Sequence, residues 1–240
     1  FKGNPSLEPS LIDNYDARID WNLSDKEILA VSVFYKVLEN PIQQTRGSPN
    51  IKIGNQSYAT HETTFLNSDE AILYGLELEA KISLGRFWED MDWFKIGSNL
   101  TWSTSELTLS DAEKSAFGVS TNPNYKETRA LEGQSEWIFN FDFSYQNEDL
   151  GLTSTLIYSF YDERLESTSF NLPNDIWEDA YSNLDFINSY NFGKDDDWKI
   201  KASAKNIIPE VRISRVYGTE TIVSKYETPT TFGISLSKDF

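Results

Sequence analysis

Thr228 to Phe240 reads T-P-T-T-F-G-I-S-L-S-K-D-F. Phe232, Ile234 and Leu236 alternate with Gly233, Ser235 and Ser237. A period of two marks a strand with one apolar and one polar face. The apolar phase continues through Lys238 to Phe240, and Pro229 sits where a strand can start without losing a ladder hydrogen bond. A strand so apolar on one face needs a partner at each edge and an apolar medium on one side. It reads as the closing strand of an all-β, antiparallel barrel that crosses an outer membrane.

The same alternation recurs upstream. Tyr15, Ala17, Ile19, Trp21 and Leu23 share one face, and Leu29, Val31, Val33, Tyr35 and Val37 another. A third stretch runs from Ile72 to Leu84, a fourth from Phe94 to Trp102, a fifth from Trp137 to Gln146 and a sixth from Leu152 to Phe160. Leu184 to Phe192 and Trp198 to Lys205 complete the set, about nine strands with the last. The breaks between them alternate. Ser24–Lys26, Gly85–Asp92, Asn147–Asp149 and Gly193–Asp197 are short turns. Residues 39–62, 105–135, 166–178 and 209–227 are long and polar and read as loops, the first with room for strand extensions. Outer-membrane barrels have short periplasmic turns and long external loops, which puts the C-terminus in the periplasm. An odd count with two bare edges points to part of a barrel.

Composition bounds the function. The chain of 240 residues carries 21 basic and 38 acidic side chains, a net charge of −17, which argues against a nucleic-acid partner. It has no Cys, so neither disulfides nor thiolate metal sites arise. No apolar run is long enough for a transmembrane helix, which excludes only helical membrane proteins, since barrel strands alternate and keep mean hydropathy low. Phe1-Lys2-Gly3 shows no leader, so the chain reads as processed or as the back part of a longer one. The aromatic excess has a place. Trp21, Trp93, Tyr145, Tyr190, Phe192, Trp198 and Phe240 lie beside the short turns, as a girdle at one membrane interface would. The rival is the core of a soluble β-rich module, such as a glycan-binding sandwich.

Four segments resemble the C-terminal barrel of TonB-dependent receptors. They are G-N-P-S-L-E-P-S-L-I-D-N-Y-D (Gly3 to Asp16), Y-G-L-E-L-E (Tyr74 to Glu79), K-N-I-I-P (Lys205 to Pro209) and Y-E-T-P-T-T-F-G (Tyr226 to Gly233). Ser10 stands where that family usually has Glu, and Thr230 where Arg is common. The Asn/Asp/Glu-rich style is similar to receptors of the Bacteroidota. The resemblance implies that residues 1–240 are the last strands of a roughly 22-stranded plugged barrel, with the plug domain and earlier strands absent. It implies active uptake of a scarce nutrient, whether metal chelate, cobalamin-like cofactor or glycan. Implied partners are the TonB–ExbB–ExbD complex through the missing N-terminal part, the barrel-assembly machinery, lipid and lipopolysaccharide, with room for a surface lipoprotein. Phe232, Ile234, Leu236 and Phe240 would be the signal the assembly machinery reads. The alternatives are a passive porin and a structural barrel subunit of a larger outer-membrane complex.

Chemistry is sparse. Glu77 and Glu79 share a strand face, where lining the barrel and meeting Lys81, Lys95 or a plug is a better reading than acid–base work. His61 is the single His and sits in a polar loop, and Asp195, Asp196 and Asp197 lack calcium-loop spacing. The Asn99 sequon falls inside a strand. No G-x-S-x-G, P-loop or Rossmann pattern occurs, so neither an enzyme nor a resident cofactor is expected. Substrate contacts would come from the long loops, with Tyr58, His61, Tyr125, Trp177 and Tyr217 as aromatic or polar candidates.

Overall fold

The computed structural model describes residues 1–47, 50–53, 56–59, 62–111, 114, 127–169, 175–194 and 197–238. In chain order the strands are β1 (Leu11–Ser24), β2 (Glu27–Glu39), β3 (Ile42–Gly47), β4 (Asn50–Ile53), β5 (Gln56–Ala59) and β6 (Glu62–Asn67). Next come β7 (Glu70–Ser83), β8 (Phe94–Thr108), β9 (Thr128–Arg129), β10 (Trp137–Asn147), β11 (Leu152–Tyr161) and β12 (Arg164–Ser169). The last are β13 (Ile176–Glu178), β14 (Tyr181–Phe192), β15 (Trp198–Lys205), β16 (Glu210–Val216), β17 (Ile222–Thr228) and β18 (Thr231–Lys238).

The wall is an antiparallel meander in the order β1-β2-β7-β8-β10-β11-β14-β15-β18, with β9 paired to β8 off this path. Its nine strands are the nine alternating stretches of the sequence. Register turns that alternation into two surfaces. Ile82, Ile96, Phe143, Leu156, Phe186, Ala204 and Phe232 stand side by side across seven strands of the apolar face. On the other face Glu79, Asn99, Asn140, Ser159 and Asn183 form a polar row. Such rows are the unit of sheet stabilisation. The row lies open at interior strands as well as at the edge: Leu156 is 38%, Phe186 39% and Phe232 81% exposed. A sandwich would have covered it with a second layer, so the sandwich reading fails on this architecture. β1 pairs only with β2 and β18 only with β15, so the described sheet is open at both edges.

One close approach fixes a residue in this wall. Gly75 on β7 pairs with Phe34 on β2. A Cβ there would strike the carbonyl oxygen of Trp102 and the ring of Phe34. The glycine of the Y-G-L-E-L-E segment therefore makes room for an aromatic ring laid across the sheet.

The long connections correct the sequence reading. β3, β6, β12, β13, β16 and β17 assemble into a second, six-stranded sheet in the order β17-β16-β13-β12-β3-β6; strand extensions were expected only in the first long connection, and β13, β16 and most of β12 and β17 form where loops were expected. β12 meets β3 in parallel through Thr168–Thr45 and Ser169–Arg46. β8 also continues to Thr108, past its expected end at Trp102. Leu107, Leu109 and Ala71 form a small buried cluster at this end, with Leu38 and Leu131 packed against it. These segments lack strict alternation because most of their pairing is polar and non-local.

Candidate functional site at the long-loop end

The site grows from a strand irregularity. β12 and β13 pair Arg164 with Glu178 and Leu165 with Trp177, but then Ser167 with Ile176. Glu166 is the extra residue. A bulge of this kind re-aims a side chain, and Glu166 lines a cavity of ≈ 410 Å³ together with Arg164, Glu178, Arg212, Ser214, Ser224 and Tyr226. β16 and β17 bring in the last four through the pairs Arg212–Tyr226 and Ser214–Ser224.

The floor of the cavity is a charged knot. Glu178 is 6% exposed and accepts from Arg164 Nε at 2.8 Å and from Arg212 Nη2. The Arg164 Nη2 also lies 2.7 Å from Glu178 Oε2. The Arg212 guanidinium stacks 3.8 Å from the ring centroid of Tyr181 and 5.4 Å from that of Tyr226. Tyr181 in turn stacks on Tyr161 at 4.9 Å. Burying a carboxylate is tolerable only with such pairing, and the planar fork of Arg suits both the carboxylate and the ring.

A second carboxyl binds the loops to one another. Glu132 accepts the Gln44 backbone N–H at 2.8 Å through one oxygen and that of Thr168 at 3.2 Å through the other. Burial pushes its pKa up to about 7, although those two N–H bonds and the charge of Arg129 pull the other way; Asp175 adds to the rise. Beside it, Thr45 and Thr168 share a buried hydroxyl hydrogen bond of 3.0 Å, and Arg129 Nη2 donates to Gln43 Oε1 at 2.5 Å.

At the short-turn end, Glu27 accepts from Ser24 Oγ at 2.9 Å, the Ser83 N–H at 3.1 Å and Arg86 Nη2 at 2.5 Å. A cavity of ≈ 760 Å³ lies beside it, lined in part by Lys26, Trp93, Lys95 and Glu148. On the polar wall Arg18 reaches Glu79 at 2.7 Å, and Lys95 donates to Gln146 at 2.6 Å. The partner of Glu79 is thus Arg18, two strands away on β1, where Lys81, Lys95 or a plug was expected; the long arginine side chain spans β2 to reach it.

The aromatics named from sequence fall as follows. Trp93 packs edge-on to Tyr145, Tyr190 stacks on Phe192, and Phe192 on Trp198, all beside short turns. Trp21 also stands at that end, 52% exposed. Trp177 and Tyr217 come together at 5.3 Å at the opposite end. Trp177 neighbours Glu178 in the strand and so faces away from the cavity. β5 includes Tyr58, of whose side chain nothing is described, and His61, Tyr125, Asp195, Asp196 and Phe240 lie outside the described residues. Asp197 pairs with Lys238 at 3.5 Å. Asn99 sits inside β8, accepting from Thr101 Oγ1. Sequence reasoning missed Arg164, Glu166, Glu178 and Arg212. The available signal was arginine at the border of one polar loop and inside another in a strongly acidic chain.

No curated protein matches the chain. Solved structures do match in fold. A copper transporter, OprC, superposes with a TM-score of 0.65 at 14% identity over 100% of this chain and 34% of its own. The ferric enterobactin receptor PfeA of Pseudomonas aeruginosa, in a complex with enterobactin, gives 0.60 at 16% over 96% and 32%. The siderophore receptor PirA of Acinetobacter baumannii gives 0.58 at 15% over 98% and 32%. The chain therefore spans about a third of the length of these relatives. The family model described as TonB dependent receptor-like, beta-barrel matches residues 1–207, and with an open, two-faced meander as its wall the chain belongs to that family of outer-membrane transport receptors.

Proposed function

We propose that residues 1–240 are the C-terminal portion of the wall of an outer-membrane receptor that takes up a scarce nutrient with energy relayed by TonB, ExbB and ExbD. The observation that carries this reading is the pair of opposed rows. Ile82 to Phe232 offers lipid an unbroken apolar strip, while Glu79 to Asn183 offers a filled lumen a polar one. Lipid demands that every backbone polar group be paired, which a closed barrel achieves. The plug domain and earlier strands lie outside these residues in this reading.

The short turns then face the periplasm, with the C-terminus, and the second sheet faces outward. Trp21, Trp93, Tyr145, Tyr190, Phe192 and Trp198 hold the inner interface, where amphipathic rings settle. Phe232, Ile234, Leu236 and Phe240 serve the barrel-assembly machinery. The copper transporter and the ferric enterobactin receptor that the chain resembles in fold favour a metal chelate as cargo; a cobalamin-like cofactor and a glycan are the other classes in this reading.

Two experiments test this. The chain has no Cys, so single cysteines report topology. In intact cells a bulky maleimide should label Tyr217→Cys, and label Asp149→Cys only after the outer membrane is permeabilised; the reverse pattern overturns the orientation. Growth on a limiting nutrient conferred by the full receptor should vanish in cells lacking TonB. Growth that persists would replace active uptake with a passive porin.

A further inference from the structure

We propose that the turn between β7 and β8 is a membrane foot: Phe87, Trp88 and Met91 enter the headgroup region of the leaflet on the short-turn side, and the foot favours zwitterionic over anionic phospholipid. None of the three is among the rings already placed at that interface. The proposal rests on the reading of the apolar row as lipid-facing.

The short turns differ in kind. Ser24-Asp25-Lys26 and Gly193-Lys194-Asp195-Asp196-Asp197 hold no large apolar side chain. The turn after β10 offers Leu150. The β7–β8 turn instead leaves Phe87 60%, Trp88 58% and Met91 40% exposed. It is built from two short 3-10 segments, Leu84–Arg86 and Glu89–Met91, with the Phe87 and Trp88 rings 5.8 Å apart between them. Single exposed apolar residues need no explanation, but a cluster of this size marks a contact surface.

The turn has two sides, and its inner side is fixed. Arg86 donates to Glu27 and, at 3.3 Å, to the Leu23 carbonyl. The Asp92 carboxylate lies against Gly85, where a Cβ would collide with it. Ser83, Gly85, Arg86 and Asp92 thereby line the ≈ 760 Å³ cavity at this end, and Phe87, Trp88 and Met91 do not. The apolar side chains take the side turned from that cavity. That side is continuous with the lipid strip. Ile82, on the apolar row, leads into the turn. The Phe87 and Trp88 amides both donate to the Leu84 carbonyl at 3.0 Å. Trp93 leaves the turn packed edge-on to Tyr145. Rings flanked on both sides by lipid-facing residues have the bilayer interface as their nearest apolar medium.

Charge selects the lipid. Glu89, Asp90 and Asp92 are exposed beside the rings, and none is paired with a described basic group. Arg86, the base of the turn, is engaged by Glu27. Three exposed carboxylates repel an anionic lipid surface and tolerate the balanced charges of phosphatidylcholine and phosphatidylethanolamine.

The full-length receptor carrying this chain, with any cysteine outside it replaced, would be reconstituted in nanodiscs of those two lipids. A nitroxide on Trp88→Cys would be read by collision with oxygen, which partitions into lipid, and with a nickel chelate, which stays in water. Met91→Cys is the second position, and gel mobility reports folding. Asp149→Cys on a polar turn and Ile234→Cys on the apolar strip are the references. Oxygen should dominate at Trp88→Cys, Met91→Cys and Ile234→Cys, and nickel at Asp149→Cys. Replacing half the lipid with phosphatidylglycerol should lower the oxygen-to-nickel ratio at Trp88→Cys about twofold, and adding Glu89→Gln with Asp90→Asn should restore it. Nickel dominance at Trp88→Cys and Met91→Cys overturns the foot, and a ratio indifferent to phosphatidylglycerol overturns the lipid preference. A label shielded from both reagents in native outer-membrane vesicles yet open to nickel in nanodiscs would make the occupant a protein and overturn the foot as well. Nickel dominance at Ile234→Cys would bring down the lipid-facing reading itself; oxygen dominance there, with nickel at the turn, removes the foot alone.

Discussion

The guanidinium of Arg212 lies 3.8 Å above the ring of Tyr181 while one of its nitrogens binds Glu178, so a single side chain on β16 fastens the last hairpin to both β13 and β14. Arg164 on β12 meets the same carboxylate and lies 5.7 Å from the centroid of the same ring, so the two arginines grip Glu178 and Tyr181 together.

Arg212→Ala should therefore release the β16–β17 hairpin without unfolding the wall. Glu178 keeps Arg164, so the cost is that of one lost partner, about 2 kcal/mol, below that of a fully orphaned buried charge. Hydrogen exchange across Glu210–Thr228 should accelerate, and exchange in β10 and β11 should not change. Arg212→Lys, keeping charge but not the planar stack, should fall between.

Glu132 makes the second sheet sensitive to pH. Its folded pKa of about 7 stands above the ordinary carboxylate range, so its contribution to stability is complete at low pH and is lost as pH rises through 7. Protection of the Gln44 and Thr168 amides, corrected for intrinsic exchange, should drop between pH 5 and pH 8. Water still reaches the group, so the effect should be on the order of 1 kcal/mol, a several-fold change. Glu132→Gln should flatten the profile.

Glu27 is 7% exposed and satisfies Ser24, the Ser83 amide and Arg86 together. Glu27→Ala would take the acceptor from the Ser24 hydroxyl and the Ser83 amide and leave Arg86 with the Leu23 carbonyl alone, so the unfolding temperature of the receptor in detergent should fall clearly. Lys26→Ala breaks only the pair with Glu148, whose side chains are 68% and 83% exposed, and should change it little.

Gly75→Ala should be costly despite its small size, because its Cβ meets a backbone oxygen that cannot swing away. Overpacking of this kind costs about 1–3 kcal/mol. Reduced folded yield in the outer membrane and a lower midpoint in urea would show it. Gly3→Ala, with nothing within 4 Å, is the matched control.

These outcomes trace a boundary in what the residue string discloses. The wall was legible because alternation is local: Trp137, Phe139, Phe141, Phe143 and Tyr145 declare their face without reference to any partner. The second sheet was not, because its decisive contacts are polar and distant. Thr45 and Thr168 bond across 123 positions, and nothing in Q-Q-T-R or L-E-S-T announces it. Glu178 and Arg212 are likewise 34 apart and read singly as solvated loop charges. Trp177 and Tyr217 stood out as aromatics, but their stacking on each other follows from the register of β13 on β16, which no local pattern encodes. The bulge at Glu166 is the sharpest case, since one unpaired residue decides which way a carboxylate points.

The two-residue junction of β12 with β3 carries a mechanical corollary. β3 rises from the top of β2 and β12 from the top of β11, with β7, β8 and β10 between them in the wall. The junction is a chord drawn across an arc of staves. While it holds, the tops of β2 and β11 cannot spread apart, and they are freed only when the Thr45–Thr168 and Arg46–Ser169 pairs and the Glu132 bridge all let go.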